Sequence, residues 1–229
     1  MTTLGIFLKQ PEPGRVKTRL GSEIGDESAA RLAAAFQEDI LQRTKGVARK
    51  RILAYSPGHH ESYAYFQGLA SDSDVLWPQP DVPLGMRLAA FFDQFCQPAA
   101  PCVVIGSDSP TLPGPFLLQA YEQLKTADCV IGPAEDGGYY LIGLNEPQPE
   151  LFRGIDWSTD LVFQQTLARA EERQLRVACL ETWYDIDTIG DLERLRREVA
   201  AQPAASQPVA TVWELKRIFD NDGPETLRK

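Results

Sequence analysis

Apolar positions along this chain fall into two rhythms. Short runs rich in β-branched and aromatic residues, at 4–8, 51–55, 75–77, 102–105, 129–131, 139–144 and 177–180, predict seven strands. Between them the apolar positions recur at helical spacing. Leu32, Phe36 and Ile40 follow at i, i+4 and i+8 behind Asp26, a residue suited to cap the helix they define. Residues 84–95, 115–125, 159–173 and 188–199 show the same period. Strands alternating with helices need crossover connections, which predicts an α/β fold with a mostly parallel sheet covered on both faces. Ligands of such sheets gather beyond the carboxyl ends of the strands, so chemistry is expected in the loops after Leu8, Ile105 and Leu180.

The pattern changes near residue 200. Residues 1–200 read as one domain of a size that buries a continuous core. Residues 201–211 are small, polar and proline-bearing, which predicts a linker. Residues 212–229 would form a C-terminal helix at 212–219 and a tail opening on the turn signal Asn221-Asp-Gly. That helix is expected to pack on the body of the protein or on a sister subunit, in the second case making a homodimer.

Charge narrows the partners. The chain has a formal net charge of −9, so it lacks the broad basic field that nucleic acid or an anionic membrane surface requires. No apolar stretch is long enough to span a bilayer, and the N-terminal run lacks the basic flank of a secretory signal. A cytoplasmic location is the expectation. Cys96, Cys102, Cys129 and Cys179 lie far apart and form no C-x-x-C; they read as small core residues, not as metal ligands or a disulfide framework.

Against this acidic background the segment after the first strand, Lys9-Gln-Pro-Glu-Pro-Gly-Arg-Val-Lys-Thr-Arg-Leu20, carries four basic residues and one acid. Its prolines and Gly14 can turn the chain so that backbone N–H groups converge on an anion. Arg15 and Arg19 can fork onto phosphate oxygens, while Lys9 and Lys17 supply point charges. The alternative is a solvated basic loop. The G-x-x-x-x-G-K-[ST] pattern is absent, so this is no Walker A loop, and no G-x-G-x-x-G follows the strand.

Acids follow two later strands. Asp108, in Gly106-Ser-Asp-Ser-Pro110, could hold a hard cation, since Mg²⁺ or Mn²⁺ takes one or two carboxylates with phosphate oxygens and waters; it could equally stabilise a turn. In Trp183-Tyr-Asp-Ile-Asp-Thr-Ile-Gly-Asp191, Asp185 and Asp187 share a side if extended, and Asp187 or Thr188 could cap the next helix with Asp191 in its first turn. Asp136-Gly-Gly138 reads first as a hairpin turn, yet Gly137 and Gly138 would let a substrate approach the backbone, with Asp136 and Tyr139 placed to bond hydroxyls. Gln79, Arg87 within Leu84-Gly-Met-Arg-Leu88, and Trp157 are further candidates; Trp157 would line an acceptor pocket, or else act as a core anchor ahead of a Thr159 cap. His59 and His60 sit in a proline–glycine turn as surface residues, leaving a Ser/His/Asp triad without support.

In order along the chain, the segments 9–20, 84–88, 106–110, 136–143 and 185–187 resemble the nucleotide-diphospho-sugar transferase (GT-A) superfamily. Within it the likeness is to small bacterial candidate glycosyltransferases of the radical-SAM/selenodomain-associated type, similar in turn to phospholactate and molybdenum-cofactor guanylyltransferases. The resemblance covers about residues 1–200. It implies a three-layer, Rossmann-like α/β/α sandwich and a metal-dependent glycosyl or nucleotidyl transfer to a small acceptor. It also implies nucleotide-phosphate binding by Lys9, Arg15, Lys17 and Arg19, and Mg²⁺ or Mn²⁺ at Asp108 with Asp187 as the downstream acid; Gly14, Gln79 and Arg87 are candidates for the same nucleotide from the residues themselves. Lys17 and Asp108 would be catalytic, and Asp136, Gly137, Gly138, Tyr139 and Trp157 would meet the substrate. One departure bears on the reaction: the D-x-D of glycosyltransferases is here a single carboxylate, Asp108, followed by Ser109 and Pro110. The alternative function is a non-catalytic nucleotide-binding or assembly protein.

Overall fold

All seven expected strands form in the computed structural model of the chain, which describes residues 2–98 and 100–222. They are β1 (Thr3–Lys9), β2 (Lys50–Ser56), β3 (Asp74–Pro78), β4 (Cys102–Ile105), β5 (Cys129–Pro133), β6 (Tyr139–Leu144) and β7 (Val177–Cys179). They make one sheet in the order β3-β2-β1-β4-β6-β5-β7. Pairs β2–β3, β1–β4 and β5–β7 are parallel. β6 runs against both β4 and β5, because the Asp136-Gly-Gly turn folds β5 back on itself as a hairpin; the Ala134 N–H donates to the Gly138 carbonyl at 3.0 Å.

The chain divides into two units. The first comprises Met1–Leu8, Lys45–Gly106 and Pro113–Tyr184, and contains the sheet. Alternation along each strand sorts its side chains between two faces. Ile52, Ala54, Cys102, Val104, Cys129, Ile131, Ile142 and Leu144 point into one buried cluster with Phe91 and Phe92 of α4 (Leu84–Phe95) and Ala170 of α6 (Val162–Glu172). The opposite register positions meet α3 (His60–Leu69), whose Phe66 ring lies 5.3 Å from that of Tyr55, and α5 (Gly114–Gln123), whose Tyr121 hydroxyl donates to the Thr3 carbonyl at 2.8 Å. Helices therefore cover both faces of a mostly parallel sheet, the expected α/β architecture.

Several local expectations are corrected. α3 is an additional helix, opened by His59, whose Nδ1 accepts from the Ser62 N–H at 3.3 Å; the histidines are exposed, but they begin a helix and do not merely turn the chain. Thr159 does not cap α6; its hydroxyl donates to the Asp156 carbonyl, and the helix starts at Val162. Cys96, Cys102 and Cys129 are buried as expected, and burial pushes the Cys129 thiol up to about 12, but Cys179 on the edge strand β7 is exposed.

The second unit comprises Lys9–Thr44, Ser107–Leu112 and Asp185–Lys229. It holds α1 (Thr18–Ile24), α2 (Asp26–Arg43), α7 (Ile189–Ala201) and α8 (Val209–Lys216). Leu32, Phe36 and Ile40 are buried along α2 as their period predicts. Asp26 is the first residue of that helix and not its cap; Gly25, at φ 87°, takes the cap position. The expected linker region is partly helical, with a 3₁₀ turn at Ala204–Ser206 and α8 starting at Val209 rather than 212, because Pro203 and Pro208 each open a turn. Arg217–Asp222 continue as a π-helical turn, and Gly223 of the expected turn signal lies outside the described residues. The buried Asp39 of α2 caps α8 across the unit: its carboxylate oxygens accept from the Ala210 and Thr211 N–H groups at 3.2 and 2.7 Å. No helix among the described residues is long and apolar enough to cross a membrane.

One buried ion pair ties β2 to β3. Arg51 donates to both carboxylate oxygens of Asp74, at 2.7 and 2.6 Å. Burial alone would raise the Asp74 pKa, but hydrogen bonds from Arg51 and the Ser71 N–H outweigh it and hold the carboxyl below its ordinary value of 3.8. A folded pKa below the unfolded one gives stability that is full above about pH 4 and drains away as pH falls through the folded value. Arg51→Met is expected to cost about 2–3 kcal/mol at pH 7, since it leaves a buried carboxylate unpaired. In urea melts the gap from wild type should narrow on acidification below pH 4; a gap that widens there would refute the assignment.

Candidate functional site

The second unit gathers three charged residues that the sequence holds far apart. Leaving β1, the chain is pinned where the Gln37 side-chain amide donates to the Lys9 carbonyl at 2.6 Å. It then turns, with the Arg15 N–H on the Glu12 carbonyl at 3.0 Å and Gly14 at φ 73°. Val16 is buried against Ala30 and Ala33 of α2. Lys17 follows in the left-handed region, at φ 47° and ψ 44°, immediately before α1. A lysine there carries about 1–2 kcal/mol of backbone strain, the kind that persists where surrounding packing fixes it.

This conformation sends the Lys17 side chain inward. Its ammonium lies 2.5 Å from Asp108 Oδ1 and 3.0 Å from Asp187 Oδ1, with the Phe36 ring centroid 5.9 Å away. The lysine side chain is only 4% exposed, whereas those of Asp108 and Asp187 are 51% and 44% exposed. Burial works against the ammonium's charge, but attraction to and hydrogen bonding with Asp108 and Asp187 more than offset it, so the Lys17 pKa rises above its ordinary value and the group stays charged.

The two acids are held by separate devices. The Ile186 N–H donates to the Asp108 carbonyl at 3.1 Å, stitching the 107–112 loop to the 185–187 segment. Ser109 donates its hydroxyl to Asp185 at 2.5 Å, and that leaves Asp187 as the acid that shares Lys17 with Asp108. Thr188 caps α7 in a capping box with Asp191, whose carboxylate also accepts from the Asp187 N–H at 3.1 Å. Ser109, Ile186, Asp191 and Phe36 are thus supports that residue type alone did not reveal; only the S/T-x-x-D spacing of Thr188 and Asp191 carried a signal.

The other basic residues of the loop do not converge on this point. The Lys9 ammonium donates to the Arg15 carbonyl at 2.6 Å. Arg15 pairs with Glu12 at 3.3 Å and is largely exposed, and Arg19 is exposed. Of the four, Lys17 alone is turned onto the acids.

The remaining candidates lie in the first unit. Gln79 is buried, donating to the Ala54 carbonyl at 2.6 Å, and its carbonyl oxygen accepts from Arg87 at 3.4 Å. A Cβ on Gly85 would come within 2.7 Å of Trp157 Nε1, so α4 and Trp157 pack through the missing side chain. Trp157 meets Tyr139 edge-on at 6.4 Å, and burial raises the Tyr139 hydroxyl's pKa. The Asp136 carboxylate accepts from the Gly138 N–H at 2.9 Å, within its own turn. Gly137 sits at φ 87°, and a Cβ there would lie 2.2 Å from the Asp160 carbonyl oxygen; the protein's own backbone takes the space that its lack of a side chain opens.

Two half-exposed carboxylates meeting at one ammonium form an arrangement that suits a hard cation, because Lys17 already stands where positive charge is stabilised. No group of three or more His, Cys, Asp or Glu able to hold a metal ion occurs among the described residues.

The sequence model of a family described as an uncharacterized protein conserved in bacteria, DUF2064, matches residues 39–159. The chain belongs to the DUF2064 family. The DUF2064 match takes in Asp108, the β5–β6 hairpin and Trp157, while Lys17 and Asp187 fall outside it. Among solved structures, a candidate nucleotide-diphospho-sugar transferase from Desulfovibrio desulfuricans G20 is 32% identical, with a TM-score of 0.84, covering 95% of this chain and 94% of that one. A nucleotidyl transfer enzyme from Methanothermobacter (14% identity, TM-score 0.54, 86% and 97% covered) and an inositol-1-phosphate CTP transferase from T. maritima (11%, 0.54, 98% and 98%) share the fold. This DUF2064 chain therefore has the nucleotide-diphospho-sugar transferase fold that its sequence resembles. No protein of curated function matches the chain.

Proposed function

We propose that the protein is a nucleotide-dependent transferase whose reacting phosphates are held at Lys17, Asp108 and Asp187. The observation that carries this is the Lys17 ammonium buried between two carboxylates that each keep a face toward solvent. Such a point binds a polyphosphate through the lysine and a divalent cation through the acids. The chemistry needs charge stabilisation, not a covalent nucleophile. The likeness to the Desulfovibrio protein, whose name gives it a nucleotide-diphospho-sugar as substrate, supports the same class.

Each residue then has a role. Lys17 neutralises charge developing on the leaving phosphate. Asp108 and Asp187 would hold Mg²⁺ or Mn²⁺, which when bound supplies Lewis-acid stabilisation of the same charge. Lys9, Arg15 and Arg19, on the rim of the same loop, attract the anionic nucleotide into a molecule that is otherwise negative. The cation pair here is built from single carboxylates of two distant segments and not from one D-x-D, which favours nucleotidyl transfer from a triphosphate over glycosyl transfer.

The products decide between these. Incubated with Mg²⁺ or Mn²⁺, an acceptor panel and each of the common nucleoside triphosphates, the enzyme is expected to release pyrophosphate with one of them. Release of nucleoside diphosphate from a nucleotide sugar instead would assign glycosyl transfer. Neither product from any donor, with no nucleotide raising the melting temperature, would overturn the transferase reading.

A further inference from the structure

The position of Lys17 has a consequence for the order in which ligands bind. Resting on the reading of Asp108 and Asp187 as cation ligands, we propose that Lys17 is the resident counter-ion of that pair. It holds the site against free divalent metal until a nucleotide's polyphosphate draws the ammonium away.

Two observations carry this. First, the ammonium engages Oδ1 of both acids at once, so the same oxygens face a fixed positive charge before any metal arrives. Second, the lysine cannot withdraw into solvent unaided. Its side chain is 4% exposed, its backbone is fixed in the left-handed region, and the Gly21 N–H bonds its carbonyl at 2.7 Å as α1 begins. A dication approaching the free carboxylate oxygens therefore meets a like charge within about 4 Å, which is repulsive even at the dielectric of water. A polyphosphate gives the ammonium a new partner of equal or greater charge, and releases the carboxylates in the same event. Metal binding becomes conditional on nucleotide, which spares a half-exposed acid pair from idle occupation by metal.

The test measures Mn²⁺ binding without nucleotide, from the electron paramagnetic resonance signal of the free ion. Lys17→Met keeps the length and apolar stem beside Phe36 but removes the charge; it should bind Mn²⁺ at least about tenfold more tightly than wild type. Lys17→Arg retains the charge and should stay within about threefold of wild type. Adding Asp108→Asn to Lys17→Met should abolish the gain. If Lys17→Met binds no more tightly than wild type while Asp108→Asn weakens binding in both, the metal pair stands and the gating is wrong. If Asp108→Asn changes Mn²⁺ binding in neither background, the metal reading itself has failed. The wild-type protein gives a second readout that needs no variant to fold. The buried Lys17 ammonium resonance, followed by ¹H–¹⁵N NMR, should move on adding inorganic pyrophosphate in EDTA and stay in place with Mg²⁺ alone. Movement with Mg²⁺ alone would overturn the proposal.

Discussion

Replacing Asp108 with asparagine is expected to lower transferase turnover by about a thousandfold while leaving the fold intact. The substitution is nearly isosteric and removes a single charge at a half-exposed position, so little packing changes. Lys17 keeps Asp187 as a partner at 3.0 Å, and no buried charge is stranded. The buried ammonium does lose the nearer of its two carboxylates, so stability should fall by about 1–2 kcal/mol, a few degrees in melting temperature for a chain of this size. Turnover responds differently. Loss of one group that stabilises developing charge at a reacting centre typically costs a factor of about 10² to 10³ in kcat. Here the same change also weakens the proposed cation site, which places the expectation at the upper end. The measurement pairs steady-state rates with a thermal melt of the same sample. Turnover within threefold of wild type, in a protein that melts within a few degrees of it, would remove Asp108 from the mechanism.

How much of this could be read beforehand follows from the physics of each element. β4, β6 and α4 are legible to the residue. Their apolar runs are continuous or strongly periodic and end at proline, glycine or a polar neighbour: Pro101 and Gly106 bracket β4, and Pro83 precedes α4. α3 is not legible, because of its side chains only Ser62 and Phe66 are buried; one apolar contact cannot set a period, and its cap is a histidine. The end of the chain misleads in another way. Small residues and prolines signal a linker, yet the helix there is held from outside by the carboxylate of Asp39, a residue about 170 positions earlier.

The candidate site divides similarly. Lys17 and Asp108 stand out by charge contrast and by position after a strand. Asp187 cannot be separated from Asp185 in sequence, since alternation puts both on one side. The structure gives them different partners: Ser109 bonds Asp185, Lys17 bonds Asp187, and the Ile186 N–H fixes the register of both against Asp108. The left-handed backbone at Lys17, which aims its ammonium, has no signature in residue type at all. Gly137 is the converse case: a glycine that suggests room for a ligand is required instead by the Asp160 backbone beside it.

Phe91→Ala should have the largest effect on stability, about 4 kcal/mol. The ring is fully buried on α4 and is surrounded by other rings: edge-on to Phe7 and Trp77 at 5.6 Å each, edge-on to Phe92 at 5.9 Å, and tilted against Phe95 at 4.9 Å. Its tip reaches into β1 where Gly5 has no side chain; a Cβ there would lie 2.3 Å from Phe91 Cζ. Truncation removes the transfer free energy of the ring and leaves a cavity that rigid aromatic neighbours and a strand backbone cannot close. With roughly 2–4 degrees per kcal/mol for a domain of this size, the melting temperature should fall by about 8–16 °C, without a change in the slope of denaturant unfolding. The fit between ring and glycine makes a sharper check. Gly5→Ala alone should destabilise by overpacking, and Phe91→Leu alone by underfilling, but the double variant should be more stable than the sum of the two predicts, because the added methyl enters the space the ring vacates. A loss under about 1.5 kcal/mol for Phe91→Ala, or strictly additive effects in the pair, would mean that β1 and α4 do not meet through this ring and glycine.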